Sequence, residues 1–251
     1  MTTPGGVELE RDGPVATVTL RRPDVLNAQT PATWEALREI GRGLTGDVRV
    51  VVVRGEGRAF SSGLELSDGG SGFLDALTRT GPDEAAGRIA AYQEGFTWLH
   101  RPGIVSVAAV QGHAIGAGFQ LALACDLRVL AEDAQLRMAE VALGLVPDLG
   151  ATKRLVELVG YARALEICLT GRRIGAAEAL RLGLATVVVP GADLDAAVDD
   201  LVAALLEAPR DAVIEIKALL AGAAARSEAD QLRAEREAQV RRLRDLAGLG
   251  E

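Results

Sequence analysis

GHAIGAGFQLALACD, residues 112–126, is the stretch on which the reading of the fold turns. Glycines stand at 112, 116 and 118, and an apolar run then closes on Asp126, with Gln120 as its only polar side chain. A surface helix carries a polar stripe. This one has none, so it is expected to be a helix enclosed on all sides. The glycines spell G-x-x-x-G-x-G. A dinucleotide fingerprint would need glycine at 121, which is Leu121, and no Gly-Lys-Ser/Thr follows to make a phosphate loop.

Working outward, "GIVSVAAVQG" (103–112) and "VRVVVVRGEG" (48–57) are unbroken apolar runs, as expected of parallel strands buried on both faces. "VELERDGPVATVTLRRP" (7–23) alternates on either side of Asp12-Gly13, a strong turn pair, and reads as a hairpin stopped by Pro23. Thr30-Pro31 opens an amphipathic helix to about Leu44, with Thr30 as N-cap. Residues 66–82, rich in Gly, Ser and Asp, read as a loop, and a helix follows from Pro82 to His100. "LRVLAE" (127–132) and "AQLRM" (134–138) are short strands, and after Gly150 the pattern becomes almost entirely helical. Strands and helices that alternate and then give way to helices predict an α/β fold with a helical C-terminal part, divided near residue 192. The last helix, about Glu228 to Leu246, is heavily charged, with Leu232, Val240, Leu243 and Leu246 as a thin apolar stripe. It is either a solvated surface helix or an arm that packs on a neighbouring subunit.

The chain of 251 residues is long enough for one large domain or for a core with a small appendage. Hydrophobic residues make up 49% and aromatics only 3%, so the core must be built from Ala, Val, Leu and Ile. A net charge of -8 argues against a general nucleic-acid binder. Cys125 and Cys168 read as reduced, buried thiols rather than a disulfide framework. Residues 1–6 lack the features of a signal peptide, and no apolar run approaches the roughly 20 residues needed to cross a bilayer. A cytoplasmic protein with no membrane partner is expected. The two histidines, His100 and His113, fit no helical metal pair, so no metal site is expected. Ser61 and Ser62 lie in no G-x-S-x-G elbow and read as loop hydroxyls rather than nucleophiles served by His113.

Two turns share a design. "GEGRAFSSGLEL" (55–66) and "QGHAIGAGFQL" (111–121) each deliver small residues where a buried strand ends. In a parallel sheet such ends lie along one edge, where ligands bind. Two backbone N–H groups from these turns, aimed at one oxygen, would form an oxyanion hole. The plainer alternative is two tight turns in a packed core. In "MAEVALGLVPDLGATKRL" (138–155), Glu140 sits among apolar neighbours that should raise its pKa, which suits a general base. Its alternative is a core carboxylate paired with Arg137. Asp148, eight residues on, is either a second acid/base or the N-cap of a helix from Gly150 to Gly160.

Together these segments resemble the crotonase superfamily, the enoyl-CoA hydratase and isomerase family. "RPDVLNAQT" (22–30), "AFSSGLEL" (59–66), the long run from Ala108 to Leu155 and "TGRRIGAAEALRLGLATVVVP" (170–190) are similar to its four motifs, in the family's order. The resemblance implies a ClpP-like spiral of repeated ββα units over residues 1–192 and a helical trimerisation part over 193–251, assembled as a homotrimer or a dimer of trimers. It implies an acyl-CoA thioester as substrate, with coenzyme A as part of that substrate and no separate cofactor. The oxyanion donors would be the backbone N–H groups of Leu64 and Ala117. Ala28 and Ser62 fall where the family meets the CoA moiety, and Ser61, Gly63, Gly116 and Gln120 would line the same cradle.

The hydratases that this chain resembles position water with two glutamates, and these fall at Gln120 and Glu140. Glutamine cannot act as a general base, although its amide can orient water. Single-glutamate members are typically Δ3,Δ2-enoyl-CoA isomerases, and dienoyl-CoA isomerases carry an aspartate at the place of Asp148. The loop aspartate of the family is Glu65 here. The favoured expectation is an enoyl-CoA isomerase with Glu140 as acid/base. A β-oxidation type hydratase and an acyl-CoA-binding homologue without catalysis are the alternatives, and a serine protease with a similar spiral core would need a reactive serine.

Overall fold

The computed structural model describes residues 4–66, 73 and 77–250. Most of the loop expected at 66–82 therefore lies outside the described residues. The predicted hairpin forms from β1 (Val7–Asp12) and β2 (Val15–Leu20), paired antiparallel. Ala16, Val18 and Leu20 are buried and the residues between them half-buried, as period-two alternation requires. Helix α1 (Pro31–Gly43) starts at Thr30, whose hydroxyl accepts the Thr33 N–H at 3.3 Å, and carries Pro31 in its first turn.

The strands that follow are β3 (Val50–Gly55), β4 (Val105–Val110), β5 (His113–Ile115), β6 (Leu127–Ala131), β7 (Gln135–Arg137), β8 (Ile174–Gly175) and β9 (Val187–Val189). Among the described residues they make two sheets. The larger has the order β1-β2-β3-β4-β6-β9 and is parallel except for the opening hairpin; the smaller has the order β5-β7-β8. The helices after α1 are α2 (Pro82–Thr97), α3 (Ala117–Ala124), α4 (Ala151–Val159), α5 (Tyr161–Thr170), α6 (Ala176–Arg181), α7 (Leu194–Glu207), α8 (Arg210–Ala223) and α9 (Glu228–Leu246).

The apolar runs of β3 and β4 are explained by burial on both faces of the large sheet. Val51, Val53, Ala108 and Val110 belong to the main core with α3 and with Trp34 and Leu37 of α1. Val50, Val52, Val107 and Ala109 pack instead with Leu194, Val198 and Val202 of α7. Helix α3 is buried at every position, as its lack of a polar stripe predicts. Phe119, Leu121 and Leu123 are fully buried there, each worth about 1.5–3 kcal/mol.

The spiral comes from repetition. Four strands of the large sheet, β2, β3, β4 and β6, run on into a short segment of a second layer. Gln29 follows β2, Ser61 and Leu64 follow β3, β5 follows β4 and β7 follows β6. Parallel bridges Gln29↔Leu64 and Ser61↔Ala114, with β5 parallel to β7, stitch this layer together. The turns after successive strands are thus stacked side by side.

After Gly150 the structure is helical apart from β8 and β9, and β9 extends the large sheet through Val129↔Val187. Strands of two and three residues are too short to show a period. The helices beyond residue 193 also differ among themselves. Helix α7 is core by its contacts, whereas α8 has no buried residue and α9 only Ala238. Helix α9 has the predicted bounds, and Leu232, Val240, Leu243 and Leu246 on it are exposed. Among the described residues, no helix is long and apolar enough to cross a membrane.

Candidate active site

The second layer brings three segments to one place: residues 61–65, residues 115–120 and residues 138–149. Ser61 holds the first of them. It is fully buried; its hydroxyl donates to the Asn27 carbonyl at 2.8 Å and accepts from Gln29 Nε2 at 3.0 Å and from the Gly63 N–H at 3.2 Å. Ser61 is therefore a structural peg, and its hydroxyl is neither free to line a cradle nor placed to attack. Next along the loop, Gly63 accepts the Gln29 N–H at 2.7 Å and Glu65 donates to the Gln29 carbonyl at 2.8 Å. The Leu64 amide, between them, lies on the other edge of this bridge.

Gly63 and Gly116 both need positive φ, +89° and +52°. Gly63 also needs its bareness, since a Cβ there would fall 2.5 Å from the Ile115 carbonyl oxygen and 3.6 Å from the Ala117 nitrogen. The Leu64 turn is thereby pressed against the start of α3. Ala117 is the first residue of that helix, so its N–H has no intrahelical acceptor. Among the described residues neither the Leu64 nor the Ala117 amide donates a hydrogen bond. Two unused donors on adjoining turns are what an oxyanion hole requires and what a merely packed core avoids.

Glu140 stands beside them. A Cβ at Gly116 would lie 3.4 Å from its Oε1. The residue opens a single 3-10 turn, Glu140–Leu143, that Gly144 closes in the left-handed conformation. The residue is 9% exposed. Arg137 does not pair with it, because the Arg137 Nε–H donates to the Gly171 carbonyl at 2.5 Å. The partner is Gln120, whose Nε2 donates to Glu140 Oε1 at 2.7 Å while its Oε1 accepts the Leu149 N–H at 2.9 Å. Glu140 Oε2 is buried with no hydrogen-bond partner among the described residues. Desolvation pushes the Glu140 carboxyl above the ordinary carboxylate range, against the pull of backbone amides and Gln120, and the Asp148 charge adds to the rise. Cys168 on α5 is near enough that its thiol is pushed up first by burial and then by the Glu140 charge.

Asp148 is not a helix cap. Helix α4 begins after Gly150, with no side-chain hydrogen bond at its cap. Asp148 is half-buried, and burial raises its carboxyl too. Its turn is held from two sides, by Gln93 of α2, which donates to the Asp148 carbonyl at 2.7 Å, and by the Leu149–Gln120 bond.

Ala28 is buried and Ser62 half-buried on the segments next to this loop. The Ala28 carbonyl accepts from Arg22 Nη1 at 2.8 Å, and the same guanidinium pairs with Glu65 at 2.8 Å. Ser62 donates through its amide to Leu26 and through its hydroxyl to Val25. Sequence reasoning passed over Arg22 and Asn27 as site-builders. Asn27 is buried at φ +54°, accepts the Arg22 N–H and donates to the carbonyls of Glu56 and Ala59. A polar residue able to adopt left-handed backbone just after a proline turn was the available signal. Among the described residues, no group of three His, Cys, Asp or Glu side chains is placed to hold a metal ion.

Comparison with known proteins bears on the family and the fold. Residues 10–245 match the family model described as Enoyl-CoA hydratase/isomerase. "Probable enoyl-CoA hydratase echA8" of Mycobacterium tuberculosis is 35% identical over 191 residues, 74% of this chain and 69% of that one. The mitochondrial Delta(3,5)-Delta(2,4)-dienoyl-CoA isomerase of Rattus norvegicus is 36% identical over 186 residues, 70% of this chain and 56% of that one. A Thermobifida fusca YX protein assigned as an enoyl-CoA hydratase superposes with a TM-score of 0.93 at 52% identity, covering 97% of this chain and 95% of that one. Thermobifida fusca YX structures of the same description in complex with CoA and with acetoacetyl-CoA superpose with TM-scores of 0.90 and 0.89.

Proposed function

This chain belongs to the enoyl-CoA hydratase/isomerase family, the crotonase superfamily of enzymes, and from that premise we propose that it isomerises enoyl-CoA thioesters, moving a double bond by proton transfer at Glu140. The observation that carries the isomerase reading is the Gln120–Glu140 pair: one ionisable carboxylate with one unpartnered oxygen, and an amide where a second carboxylate would serve to activate water. The CoA and acetoacetyl-CoA complexes of the Thermobifida fusca protein support an acyl-CoA thioester as the substrate.

In this reading the thioester carbonyl lies between the N–H groups of Leu64 and Ala117. Glu140 removes a proton from the carbon next to that carbonyl. Charge moves onto the thioester oxygen, where each amide donor lowers the barrier by about 3 kcal/mol. Glu140 then returns the proton two carbons further on, which yields the conjugated 2-enoyl thioester. A base whose pKa is raised toward neutrality is matched to this task. Asp148 is assigned to the far end of the acyl chain in a dienoyl substrate. Ala28 and Ser62 are assigned to the CoA rim, Gly63 and Gly116 to the shape of the cradle, and Ser61 to its support. Coenzyme A enters as part of the substrate, so the chemistry calls for no further cofactor.

Residues 193–251 are assigned to assembly as a homotrimer or a dimer of trimers. The exposed apolar side chains of α8 and α9, among them Ile216, Leu220, Leu243 and Leu246, support that assignment. Hydration is the second reading, favoured by the names of the Mycobacterium and Thermobifida relatives. The test is turnover of 3-enoyl-CoA against hydration of 2-enoyl-CoA, by the natural protein and by Glu140→Gln and Asp148→Asn. Isomerisation that exceeds hydration and falls at least 100-fold in Glu140→Gln is the expected result. Hydration that exceeds isomerisation and survives Glu140→Gln would overturn the assignment.

A further inference from the structure

We propose that Gln120 is a positioning residue that makes Glu140 a base of one oxygen: its amide, held by the Leu149 N–H, donates to Oε1 and leaves Oε2 alone to take the proton and give it back. This rests on the reading of Glu140 as the acid/base. The argument starts from the two ends of the amide. A backbone N–H only donates, so the Gln120 atom 2.9 Å from the Leu149 nitrogen is the carbonyl oxygen. The other end is then the NH2 group, and it stands 2.7 Å from Glu140 Oε1. A donor at that distance needs a lone pair on Oε1. The ionised carboxylate supplies one. When Glu140 is protonated, the carbonyl oxygen of the acid is a better acceptor for the amide than its hydroxyl oxygen, so the hydrogen bond to Oε1 favours the proton on Oε2. That oxygen is buried and has no hydrogen-bond partner among the described residues.

The transfer balances at that single atom. A C–H bond next to the thioester carbonyl breaks, an O–H bond forms at Oε2, and the electron pair moves onto the thioester oxygen. In the return step the Oε2–H bond breaks, the electron pair forms the new C–H bond two carbons away, and the carbonyl reforms. With no protein group among the described residues hydrogen-bonded to Oε2, part of the protons that leave are expected to be the protons that return.

The titratable and charged groups around Glu140 are Asp148 on the following turn, Cys168 on α5 and Arg137 on β7, whose guanidinium is held by Gly171. None of them occupies the position of the Gln120 amide. Removing that donor therefore changes the pKa of Glu140 upward, since a donor to the ionised form lowers it.

The test uses the full chain. The Glu140 carboxyl stretch is followed by infrared difference spectroscopy against Glu140→Gln, in the natural background and in Gln120→Leu and Gln120→Glu. Turnover of 3-enoyl-CoA deuterated at carbon 2 is measured alongside. Gln120→Leu is expected to move the titration up. Gln120→Glu keeps an acceptor for the Leu149 N–H, which controls for a merely structural effect. It is expected to make the two carboxyls titrate as a coupled pair in two steps, one above the natural value. The natural protein is expected to carry part of the deuterium from carbon 2 to carbon 4. A titration unmoved in both variants, or complete loss of deuterium to water, overturns this inference while an impaired Glu140→Gln leaves the function standing. Undiminished turnover by Glu140→Gln overturns the function itself.

Discussion

The oxyanion assignment can be tested at a single atom. Replacing Ala117 by lactic acid, through nonsense suppression, turns its amide into an ester and deletes one N–H with no change of side chain. The structure sets the two costs apart. The Ala117 N–H donates to nothing among the described residues, so folding loses no hydrogen bond from it. The ester does weaken the Gly116 carbonyl, which accepts the Gln120 N–H at 2.9 Å, and this costs about 1 kcal/mol of stability. Catalysis loses one of two donors to the developing oxyanion, about 3 kcal/mol, or roughly 100-fold in kcat. An ester at Ala122 is the control. It removes an intrahelical bond within α3, so stability should fall at least as much while kcat stays within about threefold. Isomerisation of 3-enoyl-CoA, followed as the conjugated thioester appears, gives kcat, and urea unfolding gives stability. A kcat for the Ala117 ester within about threefold of the natural protein, or equal losses in the two esters, would refute the assignment.

Three further outcomes are expected. Gly63→Ala forces a Cβ to within 2.5 Å of the Ile115 oxygen at φ +89°, and should cost about 2–4 kcal/mol in urea unfolding; a loss under 1 kcal/mol would show that the two turns are not pressed together. Lys217 of α8 pairs with Asp126 at 2.6 Å, with side chains 13% and 16% exposed, so Lys217→Met should cost about 1–3 kcal/mol by leaving Asp126 with Ser106 and, at 3.7 Å, Arg154 as its remaining partners; unchanged stability would mean that α8 is not anchored there. Glu140 and Asp148 both have folded pKa values raised above those of the unfolded chain, so the folded state holds their protons to higher pH. Stability should then fall as pH rises from the ordinary carboxylate range through the raised values, and Glu140→Gln/Asp148→Asn should flatten that part of the profile; superimposable profiles would contradict the shifts.

The frame of the molecule is legible wherever a period or a strong local signal exists. The β1–β2 hairpin, α1 with its Thr30 cap, β3, β4, the buried α3 and the bounds of α9 all follow from patterning. The second layer does not. Strands β5, β7 and β8 are two or three residues long, and the bridges at Gln29 and Ser61 are single pairs, so no alternation marks them. The candidate site was legible in residue type and hidden in its contacts. Glu140, Gln120 and Asp148 announce themselves as polar groups in apolar runs. That Gln120 joins Glu140, 20 positions away, to the Leu149 amide, 29 positions away, is a product of the spiral and has no local trace. The same holds for Ser61, whose three bonds turn a suspected nucleophile into a strut.

What singles the site out is that several local rules fail there together. Two glycines hold left-handed backbone, two amides on adjoining turns donate to nothing, and a carboxylate oxygen is buried without a partner. Each of these works against folding: an unmet buried polar group costs about 1–3 kcal/mol, and a buried unpaired charge more. Nearby residues show that the chain can meet such needs. Asn27 satisfies two carbonyls and one amide, Ser106 and Lys217 satisfy Asp126, and Arg128 is buried with three carbonyls around it. Gln120 satisfies one oxygen of Glu140 and stops there. A packed core with no ligand would gain by pairing Glu140 with Arg137 or by replacing it with an apolar residue. The concentration of unmet groups within reach of one another is what a ligand that accepts two hydrogen bonds at its carbonyl, and gives up a proton beside it, would complete.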